Sequence, residues 1–169
     1  MTTERLYGKY RGKVADNVDS RNRGRIKVSV LTVMGENGSN WAMPCVPYAG
    51  EGVGFFAIPP VGAKVWVEFE GGDPSRPIWT GCFWDEDQTP VGSSYTVDKK
   101  ILKTGAGVIT VDEGSESAGI TIVTKDSNGN DKMKIVVNND GIEINNGQGA
   151  SIKLSNRKVS INDTALEVE

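Results

Sequence analysis

The stretch Gly141-Ile-Glu-Ile-Asn-Asn-Gly-Gln-Gly-Ala-Ser-Ile-Lys-Leu-Ser155 places an aliphatic pair, Ile142/Ile144, and a second pair, Ile152/Leu154, on either side of an Asn/Gly turn. Apolar residues at i and i+2 point to one face of a strand, and Asn and Gly supply the backbone freedom a turn requires. The same unit recurs along the whole second half as Ile109/Val111, Ile120/Ile122, Ile135/Val137, Val159/Ile161 and Leu166/Val168. The pairs begin 7 to 15 residues apart, which reads as a repeat of strands and turns.

This half differs from the first in composition. Every Trp, Phe, Cys and Pro lies before residue 91, and the last aromatic is Tyr95. The remaining 74 residues are mainly aliphatic and small polar. A thin tail of paired aliphatics cannot close a core by itself, and alone it leaves long open strand edges. It therefore predicts a protein completed by copies of itself. Three tails would pair every edge around a shared interior narrow enough to admit Ile and Val but not Trp. Strands ~4.8 Å apart would make that body ~35 Å long.

The first half carries strand signals and few helical ones. Arg25-Ile-Lys-Val-Ser-Val30 alternates, with Ile26, Val28 and Val30 on one face, and Ala63–Glu70 sets Val65, Val67 and Phe69 opposite Trp66. Further candidates are Tyr7–Val18, Trp41–Val46, Gly54–Ile58 and Pro77–Trp84. Five main strands with Gly-rich turns predict a small barrel, of which the oligonucleotide/oligosaccharide-binding (OB) barrel is the commonest form. The aromatics are expected in its core. Cys45 and Cys82, each beside apolar or aromatic residues, are expected as buried free thiols.

Charge and chemistry narrow the function. Net charge is −3, and there is no histidine, which removes His-based triads and His-containing zinc sites. The basic cluster Arg21, Arg23, Arg25 and Lys27 suits contacts with neighbouring proteins better than nucleic acid, since only alternate residues share a strand face. Glu68 and Glu70 lie on one strand rather than across a cleft, and Asp85-Glu86-Asp87 reads as a solvated run. No catalytic, metal or cofactor residue is assigned, and the chain is read as no enzyme. Met1–Arg5 lacks the apolar stretch of a secretory signal, so folding in a cytoplasm is expected.

The ordered series Asp19…Arg23-Gly24-Arg25-Ile26-Lys27-Val28, Trp41…Pro44, Gly52-Val53-Gly54-Phe55-Phe56…Pro59-Pro60-Val61-Gly62, Val65–Asp73 and Pro77…Gly81-Cys82-Phe83-Trp84 resembles the OB domain of contractile-tail spike proteins. These include phage baseplate assembly protein V and the VgrG proteins of type VI secretion. The resemblance implies an all-β chain: an OB barrel over residues 1–95 (core 7–90), a linker at 96–108, and an intertwined trimeric β-helix needle, or β-prism, over 109–169. It implies a homotrimeric spike of a phage tail or secreted injection particle. That spike would bind baseplate hub and tail-tube proteins and meet a membrane only as a pierced target. The fourteen aliphatics paired above would form the needle core. Leu166, Val168 and Glu169 would receive a separate tip protein like the proline-alanine-alanine-arginine (PAAR) cones of the family, since no conical tip sequence is present. The inserted lysozyme and the His-x-His metal tip of some members have no counterpart here. The alternative is an OB-fold nucleic-acid or glycan binder with an oligomerising tail.

Overall fold

The computed structural model describes residues 5–91, 97–114, 118–163 and 165–168. The chain is all-β and forms two compact units, residues 1–86 and 87–169.

In the first unit, β1 (Tyr10–Asp16), β2 (Ile26–Ser29), β3 (Asn40–Pro44), β6 (Lys64–Phe69) and β7 (Pro77–Phe83) close into a barrel in the order β1-β2-β3-β7-β6. All pairs are antiparallel except β3 with β7. The alternation read in β2 and β6 sets the core. Ile26, Val28, Val30, Val65 and Val67 are fully buried, with Val14, Ala42, Phe69 and Trp79 beside them. Trp79 Nε1 donates to the Gly24 carbonyl at 3.2 Å, so the one polar atom of this core ring is satisfied. Gly24 has φ +70°, a left-handed turn that glycine adopts without strain. Gly81 falls at a β-bulge, where Trp66 pairs with Gly81 but Val67 pairs with Trp79.

Three expectations for this unit are corrected. The core is aliphatic more than aromatic: only Phe69 and Trp79 enter it, with Tyr10 packed at its margin. Trp66 stacks instead against Phe83 on the outer wall, with the Arg11 guanidinium over both rings. Cys45 and Cys82 are exposed: Cys45 follows the end of β3, and Cys82 stands one residue past the Gly81 bulge, near the end of β7. Gly54–Ile58 is not a barrel strand. The chain there forms only a two-stranded ribbon of β4 (Ala49–Gly50) and β5 (Val53–Gly54), then runs out to Pro59-Pro60 with Phe55 and Phe56 exposed.

The second unit is one eight-stranded antiparallel sheet. Its strands are β8 (Lys99–Lys103), β9 (Gly107–Asp112), β10 (Gly119–Lys125), β11 (Asp131–Asn138), β12 (Gly141–Asn145), β13 (Ser151–Ser155), β14 (Lys158–Ile161) and β15 (Leu166–Val168). They pair strictly in chain order. The segment 96–108, read as a linker, holds β8. Its two adjacent aliphatics, Ile101 and Leu102, give no i, i+2 pair and sit among Lys99, Lys100 and Lys103.

Asx side chains close the turns. Asp126 Oδ1 accepts from the Asn128 and Asn130 amides, Asn138 Oδ1 from Asp140, and Asn146 Oδ1 from Gln148 and Ala150. These short self-bonding turns favour pairing each strand with its sequence neighbour. Strand edges expected to pair between copies are thus paired inside one chain from β9 to β14. What a single chain leaves unmet is cover for a face.

Candidate assembly face

The register of the second unit aligns the aliphatic pairs into two continuous rows. One runs Leu102, Ile109, Ile122, Ile135, Ile144, Ile152, Ile161, Leu166. The other runs Val111, Ile120, Val137, Ile142, Leu154, Val159, Val168. Each member stands directly opposite the next, so all fourteen residues singled out in the sequence share one face. Leu102 extends the first row, and Met133, next to the bulge where Val123 pairs with Lys134 but Lys125 with Asp131, is another exposed apolar residue of β11. Sequence reading missed both, because neither belongs to an aliphatic pair.

That face is uncovered in one chain. Apart from Val111, the fourteen are 37–57 % exposed. Among the described residues, the buried hydrophobic core lies wholly in the barrel. Covering a Val, Leu or Ile completely stabilises by about 1.5–3 kcal/mol, so roughly 1 kcal/mol per side chain is still to be gained. A contiguous apolar strip of this length marks an interaction surface. The opposite face is mixed: Thr110, Thr121, Glu143, Lys153 and Ser160 stand there alongside Val108, Val123 and Val136. Leu166 and Val168 sit on β15, the last strand of the sheet, whereas Glu169 lies outside the described residues.

The barrel bears two further surfaces. The first is a groove of about 490 Å³ between the ribbon and the barrel wall, edged by Tyr48, Phe55, Phe56, Pro44 and Trp79. The second, of about 540 Å³, lies among Arg21, Arg23, Arg25, Trp41 and Arg76. Much of its positive charge is already matched. Arg25 binds Asp19 at 2.6 Å, with both side chains largely buried, and lies over the Trp41 ring. Asp19 also accepts from the amides of Arg21, Arg23 and Arg25, and above all the Arg25 guanidinium holds its carboxyl far below the usual carboxylate range. Arg76 pairs with Glu70 at 2.7 Å. Arg25 is therefore the brace of the loop from β1 to β2, to which Arg21 and Arg23 give their backbone amides.

The carboxylates considered for chemistry are similarly engaged. Glu68 accepts from Lys9 at 2.6 Å, Glu70 is held by Arg76, and Asp85 pairs with Lys64 at 3.2 Å.

Comparison with known proteins fits this division. Residues 10–84 match the type VI secretion system/phage-baseplate injector OB domain. Residues 99–167 match the phage baseplate V C-terminal trimerisation domain. The chain belongs to this family of baseplate and type VI secretion spike proteins. Among individual relatives, the actin cross-linking toxin VgrG1 of Vibrio cholerae is 33 % identical over 97 residues, 55 % of this chain and 9 % of the relative. The type VI secretion system spike protein VgrG5 of Pseudomonas aeruginosa is 31 % identical over 98 residues, 55 % of this chain and 12 % of the relative. VgrG3 of V. cholerae is 36 % identical over 98 residues, 55 % of this chain and 10 % of the relative. The chain thus matches about a tenth of the length of these relatives.

Proposed function

We propose that this protein is a homotrimeric central spike of a contractile injection system, with the barrels as a collar and residues 109–169 as the needle. One observation carries the reading: two unbroken aliphatic rows stand exposed on one face of a sheet that matches a trimerisation domain. Three such faces turned inward would merge the rows into one interior, with the fourteen paired aliphatics as its core. The right-handed twist of strands winds the three sheets about a common axis.

The role is mechanical. When the surrounding sheath contracts, the needle is driven through the target envelope, and its work is to resist bending and unfolding. The six inter-strand steps of ~4.8 Å from β9 to β15 give a needle of ~29 Å, and β8 adds one further step. The aromatic ribbon of the barrel is a surface through which hub and tube proteins would be held. Leu166 and Val168, with Glu169 beyond them, form the end on which a separate PAAR-like tip protein would seat. Assembly in a bacterial cytoplasm precedes incorporation into the baseplate of a virion or secreted particle.

Size-exclusion chromatography with light scattering tests the foundation. A mass of about 55 kDa, three times 18.2 kDa, is expected. A stable 18 kDa monomer with a well-protected C-terminal sheet would overturn the reading.

A further inference from the structure

The aliphatic face ends in charge at one corner. Lys100 of β8 is the register partner of Val111, so it occupies the place in the second row where an eighth aliphatic would stand. Glu113 follows β9 two residues beyond Val111, and alternation carries it to the same face. The Lys100 ammonium donates to Glu113 Oε2, with both side chains more than half exposed. Lys99, one residue earlier on the opposite face, pairs separately with Asp112. From Val111 to Val168 and from Ile109 to Leu166, every other member of the rows is Val, Ile or Leu.

Such rows have a weakness as an association surface. Each level repeats the last at ~4.8 Å with side chains of similar volume. A copy displaced by one hairpin keeps nearly all its apolar contacts and loses only those at the ends. Hydrophobic burial is non-directional, so it does not distinguish these arrangements or the reversal of one copy.

We propose that Lys100 and Glu113 set the register and polarity of the three copies by closing the β8 end of the interior with a ring of alternating charges. The inference rests on the trimer proposed above. With the copies level and parallel, three ammonium and three carboxylate groups gather at one height, and each has opposite charges around it. A displaced or reversed copy sets its Lys100 and Glu113 against a neighbour's aliphatic levels, desolvated and short of partners. A single polar position in an apolar coiled-coil seam fixes register and partner number by the same physics, at a cost in stability.

The test reads register directly. In a background carrying Cys45→Ser and Cys82→Ser, chains with Ile120→Cys are co-expressed with chains carrying Ile142→Cys, and the disulfides formed on mild oxidation are identified by mass. These positions lie two strands apart in one row, so a link from 120 to 142 between chains reports a one-hairpin slip. With Lys100 and Glu113 intact, only same-level links are expected. In Lys100→Leu/Glu113→Gln, slipped links should rise on the order of tenfold or more while the trimeric mass persists. The charge swap Lys100→Glu/Glu113→Lys should restore the parental pattern. Unchanged links in the uncharged variant overturn the proposal. So does loss of its trimer, because removing a register device from an apolar seam should leave association intact or tighter, and so do slipped links in the swap. Should the unmodified chain lack a trimeric mass, the trimer itself fails. A trimeric mass with unchanged links fails the register device alone.

Discussion

Gly141 lies so close to Leu154 that a Cβ at position 141 would stand 1.9 Å from the Leu154 carbonyl oxygen. Its φ of +136° is also a backbone state that side chains disfavour. The turn from β11 to β12 therefore admits glycine alone, and strand β13 packs across the gap. Gly141→Ala should destabilise the C-terminal unit by about 1–3 kcal/mol while leaving the barrel's own transition in place, as read by calorimetry. Gly105→Ala, where the added Cβ meets nothing within 4 Å, should be neutral or slightly stabilising.

Glu143 and Ile144 are neighbours on opposite faces of β12, and their substitutions should separate cleanly. Ile144→Lys places a charge in the middle of the first row, between Ile135 and Ile152, and should abolish the ~55 kDa species in light scattering. Glu143→Gln removes one partner of the cross-strand Glu143/Lys153 pair and should leave the mass unchanged, at a cost of no more than about 1 kcal/mol.

Trp79 joins the barrel's packing to its first loop through the bond to the Gly24 carbonyl. Trp79→Phe leaves that carbonyl unpaired and thins the core. A loss of roughly 1–3 kcal/mol in denaturant unfolding of the barrel is expected, with no change in oligomeric mass.

The Asp19–Arg25 brace sets a pH dependence of known sign. The folded carboxyl is depressed, chiefly by Arg25 and further by three loop amides, so its stabilisation is complete above the ordinary value of 3.8 and is lost as pH falls through that value toward the folded one. Asp19→Asn should lower the barrel's thermal midpoint by a constant amount from pH 5 to 8. The gap between parent and variant should narrow below pH 4. A gap that instead widened in acid would contradict the assignment.

The sequence was most legible where periodicity and burial coincide. Ile26 and Val28 of β2 and Val30 just beyond it alternate and are all buried, and Val65, Val67 and Phe69 do the same in β6. The fourteen tail aliphatics could be assigned to one face because turns such as 145–149 keep the phase from strand to strand. Legibility failed where a residue type was taken as a proxy for depth. Cys45, Cys82, Phe55, Phe56 and Trp84 are exposed: the small barrel fills with Val and Ile, and all of these but Cys82 lie outside its strands. Leu102 escaped notice because lysines surround it. The source of edge pairing was likewise not legible: composition marks the strands that carry an aliphatic pair and passes over β8, and partner choice depends on turns closed by Asx hydrogen bonds.

Strict sequential pairing in the tail has an evolutionary corollary. Because β9 to β14 each pair only with the strands before and after them, a hairpin with its two aliphatic pairs is an interchangeable part. Duplicating or deleting one would lengthen or shorten the sheet by ~10 Å and leave every remaining joint intact, so the reach of the spike proposed above could be set by small in-frame gains and losses.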